Sequence, residues 1–147
     1  MASLAACAGK PSTKPSTPSK EQQVERKKYA NPRVEAQVNQ LELAVKLSQQ
    51  LQHAASLEIL AELDTQLLPA EYFWLALETS ATSSLAQGNG WQTLRLLEKF
   101  SQGQQKLTKA QYFKLFDFRA NALSLTGNYP AALQARFNQA EAASGQK

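Results

Sequence analysis

Two stretches decide the fold: Tyr72–Asn89, YFWLALETSATSSLAQGN, and Tyr112–Asn128, YFKLFDFRANALSLTGN. Tyr72-Phe73 matches Tyr112-Phe113, Leu75 matches Leu115, and Leu85 matches Leu125, each forty residues on. The Gly-Asn pair that closes each copy comes one residue sooner in the second, so the length difference falls in the turn. The segments paired with them also match: LEILAEL at Leu57 and LRLLEKF at Leu94 lie thirty-seven residues apart. Helical units recurring at this period indicate stacked hairpins, because one hairpin cannot bury both faces and neighbours must supply the core. Ala120, Leu123, Gly127, Tyr129 and Ala132 come close to the tetratricopeptide pattern, in which small residues let helices approach and glycine ends the first helix of a pair. The expected fold is all-α, a tetratricopeptide-like α-solenoid of about three antiparallel helical hairpins over residues 31–147. A plain helical bundle is the competing arrangement.

Working outward, the helices carry their own punctuation. Asn31 can cap, and Pro32 suits a first helical position, where its missing N–H would be unpaired anyway. Val34, Val38, Leu41, Ala44 and Val45 recur at helical spacing, with Ser48 interrupting the stripe one turn later. A second helix holds Leu57, Leu60 and Leu63. The third starts near Pro69 and runs to the turn at Gly88-Asn89-Gly90. The fourth, WQTLRLLEKF, stops near Gly103. Thr108 with Gln111 has capping-box form and opens the fifth, which ends at Gly127-Asn128. Pro130 lies in the first turn of the sixth. No segment alternates apolar and polar residues in the manner of a half-buried strand.

The charge is lopsided. The chain of 147 residues carries +4. Before Tyr29 it holds Lys10, Lys14, Lys20, Arg26, Lys27 and Lys28 against Glu21 and Glu25. From Tyr29 onward ten basic residues balance ten acidic ones. The folded part is thus neutral and lacks the basic face of a nucleic-acid binder. Residues 8–30, with KPST twice, read as a disordered, extended spacer. Ahead of it stands LAAC, Leu4–Cys7, the form of a bacterial lipobox: an aliphatic residue, two small ones, then the cysteine that takes the lipid. A full lipoprotein signal has a charged start and about 7–15 apolar residues, so residues 1–7 read as the remnant of one. The other reading of Cys7 is a free thiol in an unstructured tail.

Chemistry-bearing motifs are lacking. A single cysteine and a single histidine, His53, leave no disulfide, no multi-cysteine or His-Glu-x-x-His metal site and no Cys–His nucleophile. His53 reads as a helix-surface residue. No cofactor and no catalytic residue is expected; an enzyme would need titratable groups that the chain does not supply. What remains is surface. On the fifth helix Lys114, Asp117, Asn121 and Ser124 form a polar stripe, and on the third the matching stripe is Glu71, Trp74, Glu78 and Thr82. First helices of such hairpins line the concave, partner-binding side, where Trp74 would be an anchor. The alternative is that both stripes face water and Trp74 leans into the core.

Lipobox, spacer and degenerate tetratricopeptide hairpins together resemble a bacterial family, the outer-membrane lipoprotein activators of penicillin-binding proteins of LpoA type. The carrying stretch is LTKAQYFKLFDFRANALSLTGNYPAALQARFNQAE, residues 107–141, and LEILAELDTQLLPAEYFWLALETSA before it is similar to the preceding hairpin of that family. The resemblance covers about residues 33–145. It implies a non-catalytic protein at the periplasmic face of the outer membrane, anchored through acylated Cys7, that stimulates a bifunctional peptidoglycan synthase by direct contact. Family members continue into a larger domain similar to periplasmic ligand-binding proteins, so the resemblance implies a polypeptide longer than one ending at Lys147. A generic tetratricopeptide adaptor of envelope or pilus assembly is the second expectation.

Overall fold

In the computed structural model, which describes residues 26–102 and 106–144, Asn31 caps the first helix by accepting the Arg33 N–H at 2.9 Å. Six α-helices follow: α1 Pro32–Gln49, α2 His53–Glu62, α3 Phe73–Ala86, α4 Gly90–Ser101, α5 Lys109–Leu125 and α6 Tyr129–Ser144. A short 3-10 turn, Ala70–Tyr72, leads into α3, so the helix expected from Pro69 becomes α-helical only at Phe73. There is no strand among the described residues. The domain is all-α. Gly103 and Cys7 lie outside the described residues, as does most of the expected spacer.

Three turns are built alike. After α3 the Gly88 N–H reaches Leu85 O at 2.9 Å and the Asn89 N–H reaches Ser84 O at 3.0 Å. After α5 the Gly127 and Asn128 N–H groups reach Ser124 O and Leu123 O, both at 3.0 Å. These paired bonds satisfy carbonyls that a helix end leaves orphaned, and they need a left-handed residue, hence φ of +70° at Gly88 and +84° at Gly127. After α1 the same pair recurs with Leu51 and Gln52, at 2.9 and 2.8 Å to Ser48 O and Leu47 O, and Leu51 adopts φ +65°. Asn89 and Asn128 then cap the following helices through their side chains, to Gln92 N at 3.0 Å and Ala131 N at 3.3 Å.

Counting from these turns aligns the interior. Seven residues before each lie Ala44, Ala81 and Ala120, and five after lie Ser56, Thr93 and Ala132, all buried. Small side chains at these places let paired helices touch closely. Each helix packs on its neighbour in sequence, and in addition α1 touches α3 and α3 touches α5. The core between them gathers Leu41, Leu57, Leu60, Phe73, Leu77, Leu97, Phe100 and Leu115. Burying each large side chain contributes roughly 1.5–3 kcal/mol. At Gly90 an added Cβ would stand 2.4 Å from Ala122 O, so α4 begins where only glycine lets α5 come near.

A polar layer runs through α3. Ser83 donates to Ser48 Oγ at 2.9 Å and sits 3.0 Å from His53 Nδ1. The Ser84 and Thr93 hydroxyls are hydrogen-bonded at 2.6 Å, and Ser56 donates to Ala44 O at 2.7 Å. Two expectations are corrected here. Ser48 continues the inward stripe of α1 instead of breaking it, because Ser83 satisfies its hydroxyl. His53 is half-buried between α2 and α3, not on an open helix surface. The α2 carbonyls Leu60 O and Ala61 O are capped from α4 by Lys99 Nζ at 3.1 and 2.9 Å. Burial lowers the Lys99 ammonium's pKa. The capping box at Thr108 and Gln111 forms as spaced, with bonds of 2.9 and 3.1 Å.

Candidate functional site

Because α1, α3 and α5 follow one another in contact, they make one continuous face. Its middle is a cleft of about 210 Å³ lined by Val45, Ser48 and Gln49 of α1 and Leu75, Glu78, Thr79 and Thr82 of α3. Three hydroxyls, an amide and a carboxylate beside two aliphatic side chains suit a polypeptide, which offers both amide groups and apolar branches. Glu78 is held by Lys114 of α5 at 2.6 Å, so all three first helices contribute.

The other end of this face is occupied by the chain itself. Residues 26–29 are non-helical and lie against α1 and the start of α3. Arg26 pairs with Glu35 through both terminal nitrogens, Nη1 to Oε1 at 3.1 Å. It also reaches Asn39 Oδ1 at 2.7 Å and, through Nε, Glu42 at 2.8 Å. Glu35, Asn39 and Glu42 stand at helical spacing on α1, so one guanidinium is met by three side chains from successive turns. Tyr29 donates its backbone N–H to Glu35 at 2.9 Å and its hydroxyl to Glu71. Its ring meets Tyr72 edge-on, with centroids 6.4 Å apart. These contacts set the local electrostatics. Arg26 first, and the Tyr29 N–H second, pull the Glu35 carboxyl down to about 2, while Glu35 raises Arg26 and Glu71 raises the Tyr29 hydroxyl. Arg26 and Tyr29, within the last five residues of the expected spacer, thus pack on this face, while Lys27, Lys28 and Ala30 stay exposed.

No protein-family model, no curated protein and no solved structure matches this chain. The assignment of a role therefore starts from the face itself.

The eight residues expected to form two parallel stripes are divided. Glu78 and Thr82 line the cleft, with Lys114 bridging to Glu78. Glu71 sits one step along the same face, under Tyr29. Trp74 turns away and packs half-buried on the core, leaving Leu75 as the apolar residue of the cleft. On α5, Asp117 and Asn121 are both taken by Arg136 of α6, at 2.5 and 2.7 Å. Asn121 and Ser124 border a separate depression of about 500 Å³ with Leu85, Leu125 and Tyr129. Arg26, Tyr29, Glu35, Asn39 and Glu42 escaped the sequence reading. The polar run 35, 39, 42 was visible on α1, but its partner lay inside what reads as linker. The exposed tryptophan is Trp91, 66% accessible at the start of α4.

Among the described residues no three His, Cys, Asp or Glu side chains gather as a metal site, and no helix is long and apolar enough to cross a membrane.

Proposed function

We propose that this chain is a non-catalytic adaptor of tetratricopeptide kind, a short solenoid of three hairpins that holds a partner protein on the α1/α3/α5 face. The observation that carries the reading is the threefold turn at Leu51, Gly88 and Gly127, with buried small residues at matching places on either side. Stacked copies of one hairpin leave their first helices side by side, and the cleft between Val45 and Thr82 lies on that row.

The partner we propose is a penicillin-binding protein, a peptidoglycan synthase. Support for it is the resemblance of residues 33–145 to the lipoprotein activators of such enzymes, together with LAAC at Leu4–Cys7. On this reading Cys7 carries the lipid and the domain works at the periplasmic face of the outer membrane. Groove and hairpins alone suit equally an envelope or pilus adaptor without a tie to the cell wall. A pull-down from a bacterial envelope extract separates the two. Retention of a penicillin-binding protein supports the first, and retention of other assembly proteins alone overturns it. Thr82→Arg, which fills the cleft from an exposed position, is expected to reduce retention at least tenfold; unchanged retention removes the cleft from the reading.

A further inference from the structure

The α1/α3 face is not uniform along its length. On α1 the positions facing it run Glu35, Asn39, Glu42, then Val45, Ser48 and Gln49. On α3 and the turn before it they run Glu71, Tyr72, then Leu75, Glu78, Thr79 and Thr82. The first half of each row is carboxylate-rich and covered by Arg26 and Tyr29. The second half is the cleft. Glu42 and Val45 are one helical turn apart, roughly 5 Å, so covered and open halves form one continuous track.

A linker that merely passed by would make scattered contacts. Residues 26–29 instead behave as a seated ligand. One guanidinium takes up two carboxylates and an amide, and three residues later an aromatic ring finds an edge-on partner while its hydroxyl finds a third carboxylate. The segment's own backbone N–H at Tyr29 is bound as well, at 2.9 Å. Charge complementarity points the same way: Glu35 and Glu42 face Arg26, Lys28 adds a weaker pull on Glu35, and Lys27 lies over the Tyr29 ring at 5.5 Å.

We infer that this track recognises an extended partner segment carrying an arginine and, three residues later, a tyrosine, and that the chain's own Arg26–Tyr29 covers the position until the partner displaces it. The inference rests on the α1/α3 face being a partner site, and is independent of whether the partner is a peptidoglycan synthase. The cover lowers apparent affinity by the fraction of time it is seated. Its loosening exposes three carboxylates, which favours a partner segment that brings a matching cation and a hydroxyl over others.

The test uses the full chain and a fluorescein-labelled peptide of residues 24–30, VERKKYA, as probe, read by anisotropy. The double variant Arg26→Ala/Tyr29→Ala is expected to bind the probe at least tenfold more tightly than the unaltered chain. Adding Glu35→Gln and Glu42→Gln to that variant, or replacing both Arg and Tyr in the peptide by alanine, is expected to abolish the gain. A double variant with unchanged helical circular dichroism and no gain in affinity overturns the inference. Should that variant fail to fold, the unaltered chain decides by hydrogen exchange: excess probe is expected to speed exchange of the Tyr29 amide severalfold, and an unchanged rate overturns it. A dimer that the double variant dissolves would assign the track to a second copy of this chain and overturn the proposed partner. Failure of the envelope pull-down with the peptide result intact would remove the synthase and leave the track.

Discussion

Leu51 occupies the one left-handed position of the three turns that lacks glycine. A side chain there costs roughly 1–2 kcal/mol relative to a right-handed residue, and Leu51, 78% exposed, recovers little by packing. Glycine relieves that strain but adds freedom to the unfolded chain, worth about 0.4–1 kcal/mol. Leu51→Gly is therefore expected to stabilise by about 0.5–1 kcal/mol, seen as a rise of a few degrees in Tm; a fall would contradict the strain. Glu35 supplies a second prediction. Its carboxyl is held near 2, against an ordinary value of 4.5, chiefly by Arg26 and then by the Tyr29 N–H, with Lys28 adding a weaker pull and burial opposing them. A depressed carboxylate favours the folded, seated state while it is ionised, so its contribution is complete above about 4.5 and is lost as pH falls from there through 2. The urea midpoint is expected to drop across that window, and to drop less in Glu35→Gln. Equal acid limbs would detach Glu35 from Arg26.

Helix α3 is the element on which the molecule turns, since it contacts α1, α2, α4 and α5. Its sequence TSATSS looks too polar for a central helix, and burial of Thr79, Ser80, Ser83 and Ser84 explains it. Short hydroxyl side chains let neighbouring helices approach, and partners on other helices satisfy Ser83 and Ser84. Ser83 answers both Ser48 and His53, so Ser83→Ala is expected to cost about 1–2 kcal/mol by leaving them short of a partner. Ser80 Oγ is buried without one, and Ser80→Ala is expected to be neutral or slightly stabilising. Urea unfolding of the two variants side by side gives the contrast, and equal losses would refute it. The sequence made α3 recognisable as a helix through its apolar spacing and its Gly-Asn stop. It could not tell that Ser83 faces inward, because its partners lie thirty and thirty-five residues away, on α2 and α1.

Across the whole molecule the three turns are alike in geometry, and the residues that follow them are uneven in burial. Leu57, Leu94 and Leu133 stand six residues after their respective turns. Leu57 is 4% exposed beneath the hairpin that follows, Leu94 is intermediate, and Leu133 is 59% exposed on the outer face of α6. Depth of burial, not residue type, decides the energy. Leu57→Ala is expected to cost about 2–4 kcal/mol, whereas Leu133→Ala is expected to stay within about 0.5 kcal/mol. Comparable losses in chemical denaturation would mean that α6 is covered in solution. The arrangement of stripes belongs to this scale too. Asp117 and Asn121 are both taken by Arg136 of α6, and of the two readings open for Trp74, anchor or core, it packs half-buried on the core.

By itself the sequence determined the helices, the caps at Asn31 and Thr108, two of the three turns and the forty-residue echo between Tyr72 and Tyr112. These depend on forces that act within one turn: a capping side chain, a left-handed glycine, an apolar residue every third or fourth place. Only the tertiary structure decided that Leu51 makes the third turn, that Leu75 and not Trp74 lines the cleft, and that Arg26 and Tyr29 lie on Glu35 and Glu71. Each of those outcomes sets one group's desolvation against a partner that stacking brings near, and no local pattern carries that comparison.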